Sequence, residues 1–313
     1  MRVRDCLTTL FVVLLTASIA ADQKDVLGRW NLTTTGENPG RPYWLEVKEE
    51  GPKLAVLFLN RSGSPLKIEN ARFEGDELVF DQQGRQNQPS PQFRAKAAGG
   101  KMTATIKTGD RTITLAGVRP PAWPDVTANG AHTYGKPVEL FNGSSLDTFD
   151  IQNPDRPMNW SIEDGAMTNA ERANNLVSKE KFKDFKIQAE YKLAPGSNSG
   201  IYVRGRYELQ LLDDYGKPPT KNSHMSIYGW TPASVNASKP PGEWQTMEAV
   251  VVGNRVTVTL NGQKVHDNAV LEAITGGALD NHELEPGPIM IQGDHGKVWF
   301  RKLAVTPITR AGR

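Results

Sequence analysis

Cysteine is almost absent from this 313-residue chain: the only one, Cys6, falls within the first few residues. The rest of the chain therefore has no disulfide staple, no thiol nucleophile and no thiolate metal ligand. Long apolar runs are scarce too. Beyond Leu7–Ala20 nothing approaches the roughly 20 residues of a membrane-spanning helix. Charge of one sign is not in excess, since 37 basic and 35 acidic residues leave a formal +2. Without a basic block or an aromatic–basic repeat, no nucleic acid partner is indicated. Helical periodicity is also missing; no segment keeps it for more than two turns, with Leu271–Thr275 the nearest exception. What remains is a soluble, strand-rich chain in which 29 Gly and 21 Pro separate short β-like runs.

The first residues read as an export signal. Arg2 and Arg4 precede the apolar run Leu7–Ala20, and Ser18-Ile19-Ala20-Ala21 supplies small residues at a cleavage point after Ala20 or Ala21. Cys6 precedes the apolar run and leaves with residues 1–21, so it is not a lipidation site. A secreted or periplasmic protein is expected, with no membrane span in the mature chain. The lack of disulfides fits a bacterial envelope.

From residue 22 to about 125, short strands recur at about ten-residue spacing. They are Gly28-Arg29-Trp30, Tyr43–Val47, Leu54–Leu59, Leu66–Ile68, Glu77–Phe80, Phe93–Lys96, Met102–Ile106 and Thr112–Leu115. Eight such strands predict a small antiparallel barrel or sandwich. The Gly28-x-Trp30 start resembles lipocalin-like barrels. Glu46, Glu69, Arg72 and Asp76 are expected on its surface, and no catalytic set is visible. This part reads as an accessory module that binds, caps or spaces the rest. The proline-rich run Pro120–Pro124 introduces a stiff linker, residues 126–134.

Residues 135–308 carry a second series of strands. Phe185–Leu193 alternates apolar and polar residues cleanly, the period of a half-buried strand. Trp160–Met167 reads as a hairpin turning at Glu163-Asp164-Gly165. Asn261-Gly262 is the strongest short hairpin signal in the chain. Ten or more antiparallel strands predict a jelly-roll β-sandwich. After the turn Pro195–Asn198 the alternation resumes through Leu211 and sets Tyr202, Arg204, Arg206, Glu208 and Gln210 on one face, about 7 Å between alternate residues. Donors, acceptors and a titratable group in one row point to a site; the competing reading is an exposed face of Arg–Glu cross pairs.

Several motifs then occur in order: Leu140–Leu146, Trp160-x-x-Glu163-Asp164-Gly165, Asn198-Ser199-Gly200-Ile201-Tyr202-x-Arg204-Gly205 and Tyr207-Glu208-x-Gln210-x-x-Asp213. Gly242-Glu243-Trp244, Leu260-Asn261-Gly262 and Gly287-Pro288-Ile289-x-Ile291-Gln292-x-Asp294-His295-Gly296 follow. This pattern resembles the 3-keto-disaccharide hydrolase domain, a concanavalin A-like, glucanase-like jelly roll of secreted bacterial proteins. The resemblance covers residues 135–308 and none of the first module. It departs from the family before Gly242, where Met225–Trp230 stands in place of an Ala-x-Tyr pattern.

The resemblance implies a carbohydrate substrate already oxidised at C3. A C3 ketone acidifies the C2 hydrogen, so a base can remove it while the C1 substituent leaves by β-elimination, with net hydrolysis if water adds back. Glu208 and His295 are the implied proton-transfer residues and Arg204 the implied enolate partner. Asn198, Tyr202, Gln210, Tyr228, Gln292 and Asp294 are implied substrate contacts, and Asp294 would orient His295 if the chain turns there. A divalent metal held by Glu208, Asp294 and His295 stays open. His224, His266 and His282 are expected to be structural or on the surface, with His266 on the rim. The carboxylates that glucanases of this fold set at close alternate positions of one strand are absent, which argues against an ordinary retaining glucanase. The rival reading is a non-catalytic, lectin-like carbohydrate-binding module.

Overall fold

The structure, a computed structural model, describes residues 22–84 and 89–309; the expected signal segment lies outside the described residues. The first part is an antiparallel meander of nine strands. These are Gly28–Thr34, Pro42–Glu50, Lys53–Leu59, Leu66–Ile68, Arg72–Glu74, Glu77–Asp81, Gln92–Ala98, Lys101–Thr108 and Arg111–Val118. Arg72–Glu74 is the strand that sequence reading passes over, being short and polar. The first strand pairs with both the second and the last. The two edge strands, Leu66–Ile68 and Arg72–Glu74, are consecutive in the chain and separated only by residues 69–71. So short a connection holds the two edge strands near one another, so the sheet curls round on itself as a small barrel-like layer. Trp30, Leu45, Phe58, Phe80 and Phe93 fill it, with Phe80 and Phe93 stacked at 4.5 Å.

Glu46 is not the surface residue expected. It is buried, with Arg29 Nε at 2.7 Å and Lys48 Nζ at 2.9 Å from its carboxylate. Arg29 continues to Glu272 at 3.1 Å, which ties the barrel to the second part of the chain.

That second part is a jelly-roll sandwich of two antiparallel sheets. The larger sheet contains Trp160–Glu163, Ala166–Asn169, Val298–Thr309, Phe185–Leu193, Gln245–Val252, Arg255–Leu260 and Gln263–Val270 in that spatial order. Thr133–Tyr134 and Val138–Phe141 add to the Val298–Thr309 strand. The end of the expected linker is therefore sheet, because Thr133 and Tyr134 find partners in Thr309 and Ile308. The smaller sheet runs Phe149–Ile151, Leu176–Phe182, Gly287–Ile291, Asn198–Val203, Tyr207–Leu212. Phe185–Leu193 buries every second residue, as its alternation predicts. Asn261 and Gly262 both have positive φ, the backbone a tight hairpin turn demands. Ile201, Val203, Leu209, Leu211, Ile289 and Ile291 of the small sheet close onto Ile187, Ala189 and Tyr191 of the large one. Their apolar burial is the main driving force for the layer.

The barrel docks on the sandwich through a small apolar cluster of Trp44, Leu59, Ala273, Ile274 and Ala278. Trp230 packs edge-on against Trp44 at 5.0 Å and donates its indole N–H to the Ile274 carbonyl. Such an aromatic pair adds about 1 kcal/mol beyond its buried area. Polar contacts border the cluster: Asn31 Nδ2 donates to Glu283 at 2.8 Å, Asn281 Nδ2 to the Leu32 carbonyl at 3.0 Å, and Gly277 N–H to the Arg61 carbonyl at 2.8 Å.

Candidate active site

The polar row around Glu208 is not one strand. Arg204 and Gly205 take φ of +56° and +67°, and the chain reverses there into a hairpin of Asn198–Val203 and Tyr207–Leu212. Tyr202 then lies opposite Glu208, and Gly200 opposite Gln210. Residues that a continuous strand would string out are thus brought side by side on one face. Gly200 has a specific part in this. A Cβ there would stand 2.2 Å from Glu208 Oε1, so the carboxyl occupies the space a side chain would fill.

The face is covered rather than open. Tyr202, Glu208 and Gln210 are each no more than 3% exposed. Above them lies a cavity of about 240 Å³. Its lining includes Asn198, Tyr202, Glu208, Gln210 and Tyr228 from the hairpin side. Gln292, Asp294 and His295 enter from the bends that follow the Gly287–Ile291 strand. Eight of the nine residues singled out from the sequence therefore meet at one cavity.

Arg204 is the exception. The turn carries its side chain off the polar face into the sheet end, where it is 1% exposed and hydrogen-bonds the Gly253 carbonyl. Its guanidinium also lies 5.7 Å from the Trp123 ring and 5.8 Å from the Tyr207 ring. Arg204 does not line the cavity. Arg206, next in the row, is buried in an ion pair with Asp280 at 2.5 Å. The guanidinium in the cavity is that of Arg61, carried with Ser62 and Gly63 on a loop of the barrel. The sequence marks this loop only as a Ser-Gly-Ser-Pro turn between strands, with nothing to say where it docks. Gly276 receives it: a Cβ at Gly276 would meet the Gly63 carbonyl oxygen at 2.2 Å. Gln152 and Asn175 also reach the cavity unannounced, from positions just outside two strands of the small sheet.

The hydrogen bonds around Glu208 accommodate a protonated carboxyl. Tyr202 Oη lies 2.9 Å from Glu208 Oε2 and 2.9 Å from the Gly276 carbonyl oxygen. A phenol has one hydrogen and a carbonyl can only accept. If Tyr202 donates to Gly276, a protonated Glu208 can donate to Tyr202. In the orientation that satisfies its amide, Gln210 donates to Glu208 Oε1 at 3.1 Å and to the Ser199 carbonyl at 3.0 Å. Burial and the nearby Asp294 charge push the Glu208 carboxyl up to about 8, against the opposing effects of Tyr202 and His295. At neutral pH this group is mainly a neutral acid.

His295 is paired with its neighbour, as the turn there requires: Nδ1 lies 2.7 Å from Asp294 Oδ1. The hydrogen bond and charge of Asp294 hold the imidazole above its ordinary value, and the same hydrogen bond holds Asp294 below its own. Asp294 thereby fixes the ring and leaves Nε2 as the atom for a ligand. Gln292 Oε1 is buried without a hydrogen-bond partner among the described residues, an acceptor suited to a ligand hydroxyl. Among the described residues no three His, Cys, Asp or Glu side chains converge to hold a metal ion, so the ligand set of Glu208, Asp294 and His295 is not assembled.

The other histidines differ from one another. His224 is buried, bonded to Tyr191 Oη at 2.8 Å, and pushed down to about 4 by burial. His266 is not on the rim; it is 4% exposed and 2.7 Å from the Met225 carbonyl.

A buried carboxyl with a raised pKa beside an oriented Asp–His pair, on one sheet of a jelly roll, defines a candidate acid–base site in an all-β protein. The chain belongs to the family described as the 3-keto-alpha-glucoside-1,2-lyase-like domain, which it matches over residues 136–306. A 3-keto-disaccharide hydrolase of Bacteroides thetaiotaomicron is 25% identical, the alignment covering 54% of this chain and 77% of that one. Among solved structures, a protein described as a glycosyl hydrolase from Parabacteroides distasonis is 24% identical, with a TM-score of 0.48 over 59% of this chain and 91% of that one. An endo-β-1,3(4)-glucanase of family GH16 is 12% identical, with a TM-score of 0.39 over 61% of this chain and 96% of that one.

Proposed function

We propose that the protein is an exported carbohydrate-active enzyme that cleaves 3-keto-glycosides, with β-elimination as its first step. The observation that supports this most directly is the raised pKa of Glu208 beside the Asp294-oriented His295 in one polar cavity. Elimination across C1–C2 needs two proton transfers of opposite sense. His295 Nε2, when neutral, takes the C2 hydrogen made acidic by the C3 ketone, and the electron pair forms the enolate. The enolate collapses to the C1–C2 double bond as the C1–O bond breaks. Glu208, protonated at neutral pH, gives its proton to the departing oxygen, which leaves as an alcohol. Water adding to the unsaturated product then gives the hydrolysis products.

Negative charge on the ketone oxygen needs a cation, and among the described residues Arg61 is the only Arg or Lys lining the cavity. Asn198, Asn175 and the unsatisfied Gln292 Oε1 supply contacts for ring hydroxyls. A lectin-like role would leave the raised carboxyl and the oriented imidazole without a purpose. Export rests on the Met1–Ala21 signal pattern.

The test is to incubate the mature protein with a 3-keto-disaccharide and, in parallel, with its unoxidised parent, following the products by mass spectrometry. Cleavage of the keto compound alone is expected, with a product lighter by water appearing first. Binding of polysaccharide without cleavage of either compound would replace this reading with the lectin-like one.

A further inference from the structure

Next to the Glu208 cavity lies a second and larger one, of about 520 Å³. The two share Arg61, Gln152, Asn175, Ala278 and Asp294, so they form one cleft along the seam between barrel and sandwich. The second cavity contains three guanidiniums: Arg41 and Arg61 from the barrel, and Arg156 from the sandwich. None of the three forms an ion pair among the described residues. Arg41 donates to the Asn38 side chain at 3.3 Å and Arg156 to the Arg172 carbonyl at 3.0 Å, both neutral acceptors. Burial and the like charge of Arg41 depress the Arg61 pKa.

Asp155 and Asp294 on these walls offset only part of that charge, and the Arg156 charge acts on Asp294. Asp294 is hydrogen-bonded to His295, and Asp155 forms no ion pair with the three arginines among the described residues. Three guanidiniums facing two carboxylates leave the cleft with an excess of positive charge that a ligand of opposite sign would offset, and guanidiniums pair well with oxyanions. The Arg61 loop is held in place by the Gly277 N–H to Arg61 carbonyl bond.

Resting on the proposed function, we infer that this cleft is a subsite for an anionic group, such as a carboxylate or sulfate, on the leaving portion of the glycoside. The substrate class is then acidic glycosides: the oxidised ring occupies the Glu208 cavity and the charged aglycone or second sugar occupies the arginine cleft.

The experiment compares two 3-keto-glucosides of the same shape, one with a 4-carboxyphenyl and one with a 4-carbamoylphenyl leaving group. The full mature protein is assayed alongside Arg41→Ala and Arg156→Gln. In wild type the carboxylate substrate should have a kcat/KM at least about tenfold higher, through a lower KM, the scale of a charge-assisted hydrogen bond. In either variant that ratio should fall towards one. Calorimetry with D-glucuronate and glucose gives a readout free of turnover: glucuronate alone should bind, and each variant should weaken it. If wild type cleaves both substrates equally and binds neither probe preferentially, the subsite is overturned while the proposed reaction stands. If no keto-glycoside is cleaved but glucuronate binds through Arg41 and Arg156, the reaction is overturned and the anion site stands.

Discussion

Glu208 occupies the volume that a side chain on Gly200 would take: its Cγ and Cδ stand 2.9 Å, and Oε1 2.2 Å, from the position of a Cβ there. The carboxyl is therefore positioned as much by a missing side chain as by Tyr202. Gly200→Ala should fold, because the backbone at this position is not in the left-handed region. It should lower kcat at least about a hundredfold, since Glu208 must swing away from its partners. Circular dichroism with steady-state rates on a 3-keto-glycoside checks this. A fully active Gly200→Ala would mean that the Glu208 position is not needed.

Glu208→Gln separates the acid role from the base role. An amide cannot protonate a leaving oxygen but still fits the Tyr202 and Gln210 contacts. Loss of about 10² to 10⁴ in kcat is expected for sugar leaving groups, and a much smaller loss for a nitrophenolate that departs unaided. Equal losses on both would move Glu208 to the C2 proton.

The same substitution should stabilise the protein. A carboxyl raised from its ordinary value to about 8 keeps its proton in the folded state while the unfolded chain gives it up. Between about 4.5 and 8 the folded state binds more protons, so this group makes stability fall as pH rises across that window. Thermal unfolding of Glu208→Gln and wild type should agree near pH 4.5 and diverge in favour of the variant by pH 8, by a few kcal/mol.

The pH–rate profile should be bell-shaped. The acid limb belongs to His295, raised by Asp294, and the basic limb to Glu208 at about 8. Asp294→Asn removes the charge that supports the imidazolium, so the acid limb should move to lower pH and kcat should drop. An unmoved limb in that variant would show that the ring titrates independently of its neighbour.

Arg61 offers a test of the barrel's contribution. Arg61→Gln should cost roughly 2–4 kcal/mol in kcat/KM, the scale of losing one oxyanion-stabilising group. Arg61→Lys should recover part of it. Unchanged kinetics in both would remove the barrel from the chemistry.

Much of this molecule is legible in the chain because strand periodicity is a local property. Phe185–Leu193 and the Asn261-Gly262 hairpin coincide with their patterns, since one face of each is core. Glu208, His295 and the polar residues around them were readable through motifs that keep fixed spacing. Arg204 leaves its row although alternation by twos continues through a three-residue turn without a break in the pattern. The φ values of +56° and +67° that redirect it leave Gly205 as their only trace in the sequence. Arg61 was out of reach for a different reason. Its place in the cavity depends on a loop meeting Gly276–Gly277 more than two hundred positions later, and no local periodicity records such a contact. Glu46 shows the same effect in miniature: an acid between apolar neighbours looks exposed until Arg29 and Lys48 are seen to cover it.

The Trp44–Trp230 contact and the Arg61 loop together change what counts as the unit of this protein. The stretch that resembles its relatives ends at residue 136 on one side, yet one wall of the cavity belongs to residues far ahead of that point. Cutting the chain at the family boundary would strip the lid from the cavity and lay bare Ala273, Ile274 and Trp230. Joined to a different partner, this sandwich would keep Glu208 and His295 and present them beneath a different wall. Chemistry would then be inherited through one module, and the choice of substrate through whichever module is joined to it.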